Sequence, residues 1–209
     1  MRKTFVDVDG FNLYYGAVKG TPYKWLNLEA LFRLLLPQNQ VVAIKYFTAR
    51  VKPRPNDPNS PARQNAYLRA LATIHCMSIY YGSFVSHQTM LPEATSTGML
   101  TGKFSSVLRT EEKGSDVNLA AHLLADAYEG LFDVAAVVTG DSDLLTPVDM
   151  ARTRCRKIVG VLNPQRRASR QLGAVASFYK AIRSSALARS QFPAVLHDAV
   201  GTIHKPVGW

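Results

Sequence analysis

The chain has 209 residues, of which 47 % are apolar and 19 % charged, with 25 Lys and Arg against 15 Asp and Glu and a formal net charge of +10. That length suits one domain with a sizeable core, and the charge is too sparse for a disordered chain. No stretch is long and uncharged enough to span a bilayer, and the two cysteines, Cys76 and Cys155, form neither a CxxC pair nor a Cys/His ligand pattern, which argues against a zinc site. Met1-Arg2-Lys3 is followed by Asp7 and Asp9, which interrupt the apolar run a signal peptide needs. Two isolated thiols fit a reducing compartment, so the expectation is a soluble cytoplasmic protein. The basic excess makes a polyanion a candidate partner.

In chain order, Thr4–Val8 is a β-branched and aromatic run closed by Asp9-Gly10, which predicts a first buried strand. Asn27 is placed to cap a helix with Leu28, Leu31, Phe32 and Leu35 on one face, and Pro37 stops it. Val41–Ala49 reads as a second strand. Lys52–Pro61 is too rich in proline for any ladder and predicts a loop. Ala62–His75 predicts a helix with Tyr67, Leu68, Leu71 and Ile74 on one face. Ser78–Val85 predicts a third strand. Ser86–Lys103 carries turn residues and little periodicity, which predicts a long loop or an irregular hairpin, and loops of that length are often functional. Phe104–Leu108 is a candidate short strand.

Ser115 is placed to cap a helix over Asp116–Tyr128 with an apolar stripe of Val117, Ala120, Ala121, Leu124 and Tyr128. Val134–Val138 is unbroken in its apolar character, which suits a central parallel strand covered on both faces. Thr146–Asp149 has capping-box chemistry with Pro147 at the first helical position, for a helix running to about Arg154. Ile158–Leu162 reads as the next strand, and Gln165–Leu172 and Phe178–Arg189 as short helices. The alternation predicts an α/β fold: a three-layer, Rossmann-like sandwich about a mostly parallel sheet. Residues 1–190 are expected to form the domain. Residues 191–209 are expected to be a tail docked on it through Phe192, Ile203 and Trp209.

Four aspartates stand out. Asp9 ends the first strand, Asp116 opens a helix, and Asp141 and Asp143 follow the most strand-like segment in Gly140-Asp141-Ser142-Asp143. Each has an ordinary reading as a cap or a turn residue. Together they fall at strand ends and helix starts, which in open α/β sheets face one crevice. Carboxylates gathered in a crevice repel one another, and Mg²⁺ or Mn²⁺ is the natural counter-ion because hard cations prefer oxygen ligands. An acidic pocket on a basic body suits RNA or DNA. Asp7 either shares the face of Asp9 or satisfies a neighbouring backbone, and it is not read as a ligand.

These stretches also carry a family resemblance. Val8-Asp9-Gly10-Phe11-Asn12-Leu13-Tyr14, Glu112-Lys113-Gly114-Ser115-Asp116-Val117-Asn118-Leu119-Ala120 and Thr139-Gly140-Asp141-Ser142-Asp143-Leu144 resemble the three signature motifs of the NYN domain family, within the PIN-like nuclease superfamily. The resemblance spans about residues 4 to 185, and Leu144 stands where the family commonly has Phe. It implies a PIN-like fold and a metal-dependent ribonuclease, read as an endonuclease, with Asp9, Asp116, Asp141 and Asp143 as catalytic and metal-holding residues. Asp141 or Asp116 would orient the attacking water, and Asn12, Lys113 and Ser142 would contact substrate. RNA, single-stranded or structured, is the expected partner, and a homodimer is a further expectation. Candidates for the RNA track are Lys52, Arg54, Lys103, Arg109, Arg152, Arg154, Arg156, Lys157, Arg166, Arg167 and Arg170. Tyr14, Tyr15, Tyr80 and Tyr81 are candidates for base stacking, with a core role favoured for Tyr80 or Tyr81.

Two rivals remain. Asp7-Val8-Asp9-Gly10 mimics the nucleophile motif of haloacid-dehalogenase-like phosphatases, although Phe11 and Asn12 replace the usual small hydroxyl residue. Alternatively, the domain binds RNA or a protein through an intact but idle pocket.

Overall fold

The computed structural model describes residues 1–53 and 55–209; Arg54, one of the candidates for the RNA track, lies outside the described residues. The first strand, β1 (Arg2–Asp9), leads into a single helical turn, α1 (Gly10–Leu13), and a π-helical turn (Tyr14–Val18). Then come α2 (Leu28–Leu35), β2 (Asn39–Thr48), α3 (Ser60–Ala72) and β3 (Met77–Tyr81). A long hairpin, β4 (Ser83–Ala94) and β5 (Leu100–Lys113), precedes α4 (Ser115–Tyr128) and β6 (Val134–Val138). A 3-10 turn (Ser142–Leu144) opens into α5 (Leu145–Thr153), followed by β7 (Ile158–Asn163), α6 (Arg170–Val175), β8 (Phe178–Ala181) and α7 (Ser184–Arg189). The last elements are β9 (Val195–Asp198) and β10 (Gly201–His204).

Six strands form one sheet in the order β3-β2-β1-β6-β7-β8, and every pairing is parallel. Helices cover both faces. On one face Val6, Val8 and Ile44 pack with Leu28, Leu31 and Phe32 of α2 and with Leu68 and Leu71 of α3. On the other, Phe5, Phe47 and Val137 pack with Leu119 and Leu123 of α4 and Val148 of α5. The chain runs outward from β1 to β3 and then returns to β6 on the other side of β1. The C-terminal ends of β1 and β6 therefore flank the point where strand order reverses, the place open α/β sheets put their ligands.

Several local readings need correction. The predicted strand Ser78–Val85 divides at Gly82: β3 stays in the sheet and β4 leaves it. Of the two readings of Ser86–Lys103, the irregular hairpin holds and the loop does not: the segment is most of an antiparallel ladder that pairs Ser83 with Lys113 and continues to Pro92 with Phe104. Both faces of this hairpin are largely solvated, so it carries no apolar alternation to read. Helix α4 turns Leu119, Leu123 and Ala127 inward, while Val117 and Tyr128 are 70 % and 87 % exposed. Two stripes on that helix satisfy helical spacing, and only the sheet selects between them. Gly114, not Ser115, occupies its cap position. Thr146 caps nothing, because α5 has already begun at Leu145. In Gln165–Leu172 only the last residues are helical, capped by Ser169, whose hydroxyl accepts the Leu172 N–H. Phe178–Ala181 is the edge strand β8 rather than helix, held by parallel pairing to β7.

The tail forms a two-stranded hairpin of β9 and β10. Phe192 and Ile203 are buried, and the Trp209 ring lies 6.3 Å from Trp25 and 5.9 Å from Tyr67. Arg69 of α3 grips Asp198 through two hydrogen bonds of 2.8 and 2.6 Å, which holds the Asp198 carboxyl down at about 2. Among the described residues no helix is long and apolar enough to cross a membrane.

Candidate active site

Asp9 is the last residue of β1 and is 4 % exposed. Its carboxylate caps α1, accepting the Asn12 N–H at 2.9 Å, and takes a longer bond of 3.4 Å from the Thr139 hydroxyl. Burial raises its pKa to about 7, against the pull of the Asn12 bond, and the charges of Asp116 and Asp141 push the same way as burial. Asp116 stands half-buried in the first turn of α4, its pKa raised by burial and then by Asp141, Glu112 and Asp143. Asp141 caps the 3-10 turn after β6, accepting the Asp143 N–H at 3.0 Å, and its own N–H donates to the Thr139 hydroxyl at 3.0 Å.

Asp9, Asp116 and Asp141 line one open cavity of about 340 Å³ together with Asn12, Glu112 and Phe84. Phe84 comes from the hairpin and meets Phe11 edge-on at 5.7 Å, which closes one side. The remaining sequence candidates are placed differently. Asp143 and Ser142 are exposed beside the cavity rather than lining it, although Asp143 is close enough to raise Asp116. Lys113 points away and pairs with Glu111 at 2.8 Å. Asn12 lines the cavity, but its side-chain oxygen accepts the Gly140 N–H at 3.0 Å and the Gln165 amide at 2.9 Å. It thereby ties the β1 end to the β6 turn. A Cβ on Gly140 would stand 2.5 Å from Gln165 Cγ, so this clamp requires glycine there. Glu112 was missed as a site residue. It accepts the Ser115 N–H at 3.1 Å and the Ser115 hydroxyl at 2.7 Å, and its sequence signal was its place four residues before Asp116.

Among the described residues no Lys or Arg is ion-paired with Asp9, Asp116, Asp141 or Asp143. The donor set is all oxygen and suits a hard cation. Among the described residues, no three His, Cys, Asp or Glu side chains converge as a ready-made metal cage.

A second carboxylate group lies deeper on the same face of the sheet. Asp7 is fully buried, sits opposite Lys45 in register, and neither of its carboxylate oxygens has a hydrogen-bond partner among the described residues. Burial raises its pKa to about 7; Lys45 opposes this and Asp126 adds to it. Lys45 donates to Asp126 at 2.5 Å and stands 3.4 Å from His122 Nδ1. Asp7 is fully buried and lines neither cavity, which argues against a role as a phosphatase nucleophile.

Beside the acidic cavity lies an aromatic one of about 320 Å³, and the two share Phe11, Tyr15 and Val51. Tyr14 and Tyr15 line it, whereas Tyr80 stacks on Phe47 at 5.2 Å in the core and Tyr81 is 42 % exposed.

An all-parallel six-stranded sheet, helices on both faces and carboxylates at its switch point define a PIN-like α/β domain. The NYN domain profile matches residues 3–183, and the chain belongs to the NYN domain family, within the PIN-like nuclease superfamily. It is also similar to the 6-hydroxy-3-succinoylpyridine 3-monooxygenase HspA of Pseudomonas putida, at 33 % identity over 99 % of this chain and 75 % of that protein. A crystal structure from Vibrio parahaemolyticus, of a protein described as of unknown function, superposes with a TM-score of 0.58 at 18 % identity, covering 91 % of this chain and 96 % of that one. That likeness concerns the fold alone.

Proposed function

We propose that the acidic cavity is the active site of a metal-dependent ribonuclease that hydrolyses RNA phosphodiester bonds within the strand. The observation that carries this reading is a set of carboxylates lining one cavity, two of them with raised pKa, that has no paired Lys or Arg among the described residues. Asp9, Asp116 and Asp141 would hold Mg²⁺ or Mn²⁺, with Glu112 and Asp143 at the margin. The cation supplies Lewis acidity and lowers the pKa of bound water. Asp141 or Asp116 accepts the proton of the attacking water. Asn12 keeps the two strand ends in register, and the exposed Arg166, Arg167 and Arg170 extend a basic track from the loop that carries Gln165. Purified protein incubated with single-stranded and structured RNA should cleave in Mn²⁺ or Mg²⁺ and stop in EDTA. Intact RNA under every metal condition would refute the reading.

A second reading follows the printed name of the Pseudomonas relative: oxygenation of a small heteroaromatic acid. The aromatic cavity favours it. Its test is consumption of molecular oxygen with a two-electron reductant and the pyridine named for that relative. Absence of substrate-dependent oxygen uptake would remove it.

A further inference from the structure

We infer that the aromatic cavity is a binding site for a planar N-heteroaromatic ring that carries an anionic tail. Tyr14, Tyr15, Tyr46, Tyr67 and Trp209 surround about 320 Å³, within the range of small-molecule pockets. The walls are braced. Tyr67 donates its hydroxyl to the Leu26 carbonyl at 3.0 Å, and the rings of Tyr14 and Tyr15 meet edge-on at 5.2 Å. Trp209 is held between Trp25 and Tyr67.

Two hydroxyls face the cavity. Tyr46 and Thr48 both line it, and neither side chain is hydrogen-bonded to another among the described residues, so both hydroxyls are open to water there. The N–H and C=O edge of a heteroaromatic ring would take the place of that water on both. Gly10 makes room for this arrangement, because a Cβ there would stand 2.7 Å from Tyr46 Cζ. Aromatic walls on several sides select a flat ring. At the rim the Lys19 ammonium lies 4.6 Å from the Tyr15 ring centre and the Lys24 ammonium 5.9 Å from that of Trp209. Neither lysine is ion-paired among the described residues, whereas the nearby Arg63 is committed to Asp57 through two bonds of 2.6 Å. Lys24 also donates to the Gly208 carbonyl at 3.4 Å, and both ammonium groups, neutralised by no carboxylate, suit a phosphate or carboxylate tail.

Two sources supply this chemistry: a nucleobase with its phosphate, on a strand whose next phosphate lies in the acidic cavity, or a free heteroaromatic acid. The inference rests on neither reading of the acidic cavity alone, since ring binding needs no metal. Calorimetry in EDTA, where no cleavage interferes, tests it with uridylate, hexauridylate, nicotinate and ribose phosphate. At least one ring probe should bind while ribose phosphate does not. Tyr46→Phe, which removes one oxygen, should weaken that binding about tenfold. Quenching of Trp209 emission by the ring, lost in Trp209→Phe, gives an independent readout. Hexauridylate binding more tightly than uridylate assigns the strand as source; nicotinate binding with hexauridylate inert assigns the free acid. Equal affinity for ribose phosphate, no binding of any ring probe at millimolar concentration, or unchanged affinities in Tyr46→Phe overturn the site. RNA cleavage is scored separately in Mn²⁺, so failure of one assay is not failure of the other.

Discussion

Two carboxylate groups lie on the same face of the same sheet, and they solve the repulsion problem in opposite ways. Asp7 and Asp126 are sealed between β1, β2 and α4 and bring Lys45 with them. Asp9, Asp116 and Asp141, one strand position higher, open on a cavity and have no cationic side chain paired to them among the described residues. A closed cluster must be complete when the chain folds, because water cannot correct it. An open cluster can stay incomplete and take its counter-ion from solution. The difference separates carboxylates neutralised within the fold from the carboxylates we propose for the reaction, although Asp7 and Asp9 are only two residues apart.

The largest expected effect is on activity. Asp9→Asn or Asp141→Asn should lower RNA cleavage by roughly a hundredfold or more, as loss of a metal-site carboxylate usually does. Asp7→Asn should leave much of the cleavage intact. If Asp7→Asn were as damaging as Asp141→Asn in the same assay, the division between the two clusters would fail.

Stability should respond with opposite signs. Lys45→Met leaves buried Asp126 without its cation and should cost about 3–5 kcal/mol in urea unfolding, much of it restored by adding Asp126→Leu. Asp116→Asn relieves repulsion at the open cluster and should be neutral or slightly stabilising in the absence of metal. A destabilising Asp116→Asn would show that the open cluster is also structural.

The pH dependence sharpens the contrast. In the folded chain Asp7 titrates at about 7 against an ordinary 3.8. The folded state therefore keeps a proton that the unfolded chain gives up, and stability is lost as pH rises from about 4 to about 7. Asp9 contributes in the same direction. Asp7→Asn should match the wild type near pH 4 and melt several degrees higher near pH 8, where roughly 1 kcal/mol moves Tm by 2–4 °C. Parallel melting curves for both proteins across that range would show that Asp7 is ionised in the fold.

The smallest effect lies outside both clusters. Changing Arg166, Arg167 and Arg170 to Gln should flatten the salt dependence of RNA binding by up to roughly two units of slope, given about 0.7 per charge on single strands. RNA affinity indifferent to ionic strength in the wild type would remove these residues from the track.

The strands β1, β6 and β7 were legible because parallel strands covered on both faces read as continuous apolar runs. The aspartates were legible because they stop those runs or open a helix. The hairpin was legible only as one of two alternatives, since solvated strands leave no alternation behind. The two readings of Asp7 stayed open because its neighbour Lys45 lies on another strand, at a register that only the folded sheet defines. Asn12 was read as a substrate contact from its motif, while the partners of its side-chain oxygen, Gly140 and Gln165, are more than a hundred residues away. The aromatic cavity gathers Tyr15, Tyr46, Tyr67 and Trp209 from four distant segments, and no local pattern announces it.

The central claim is that the open cluster takes its cation from solution and the closed one does not. Thermal melting with and without Mn²⁺ tests it most directly, comparing the wild type, Asp7→Asn, and the combined Asp9→Asn, Asp116→Asn, Asp141→Asn, Asp143→Asn variant. At a hundredfold excess over Kd, bound metal should raise Tm by roughly 5 °C or more in the wild type and in Asp7→Asn, and leave the combined variant unmoved while it remains folded. A shift that persists in the combined variant, or one that vanishes with Asp7→Asn, would contradict the account.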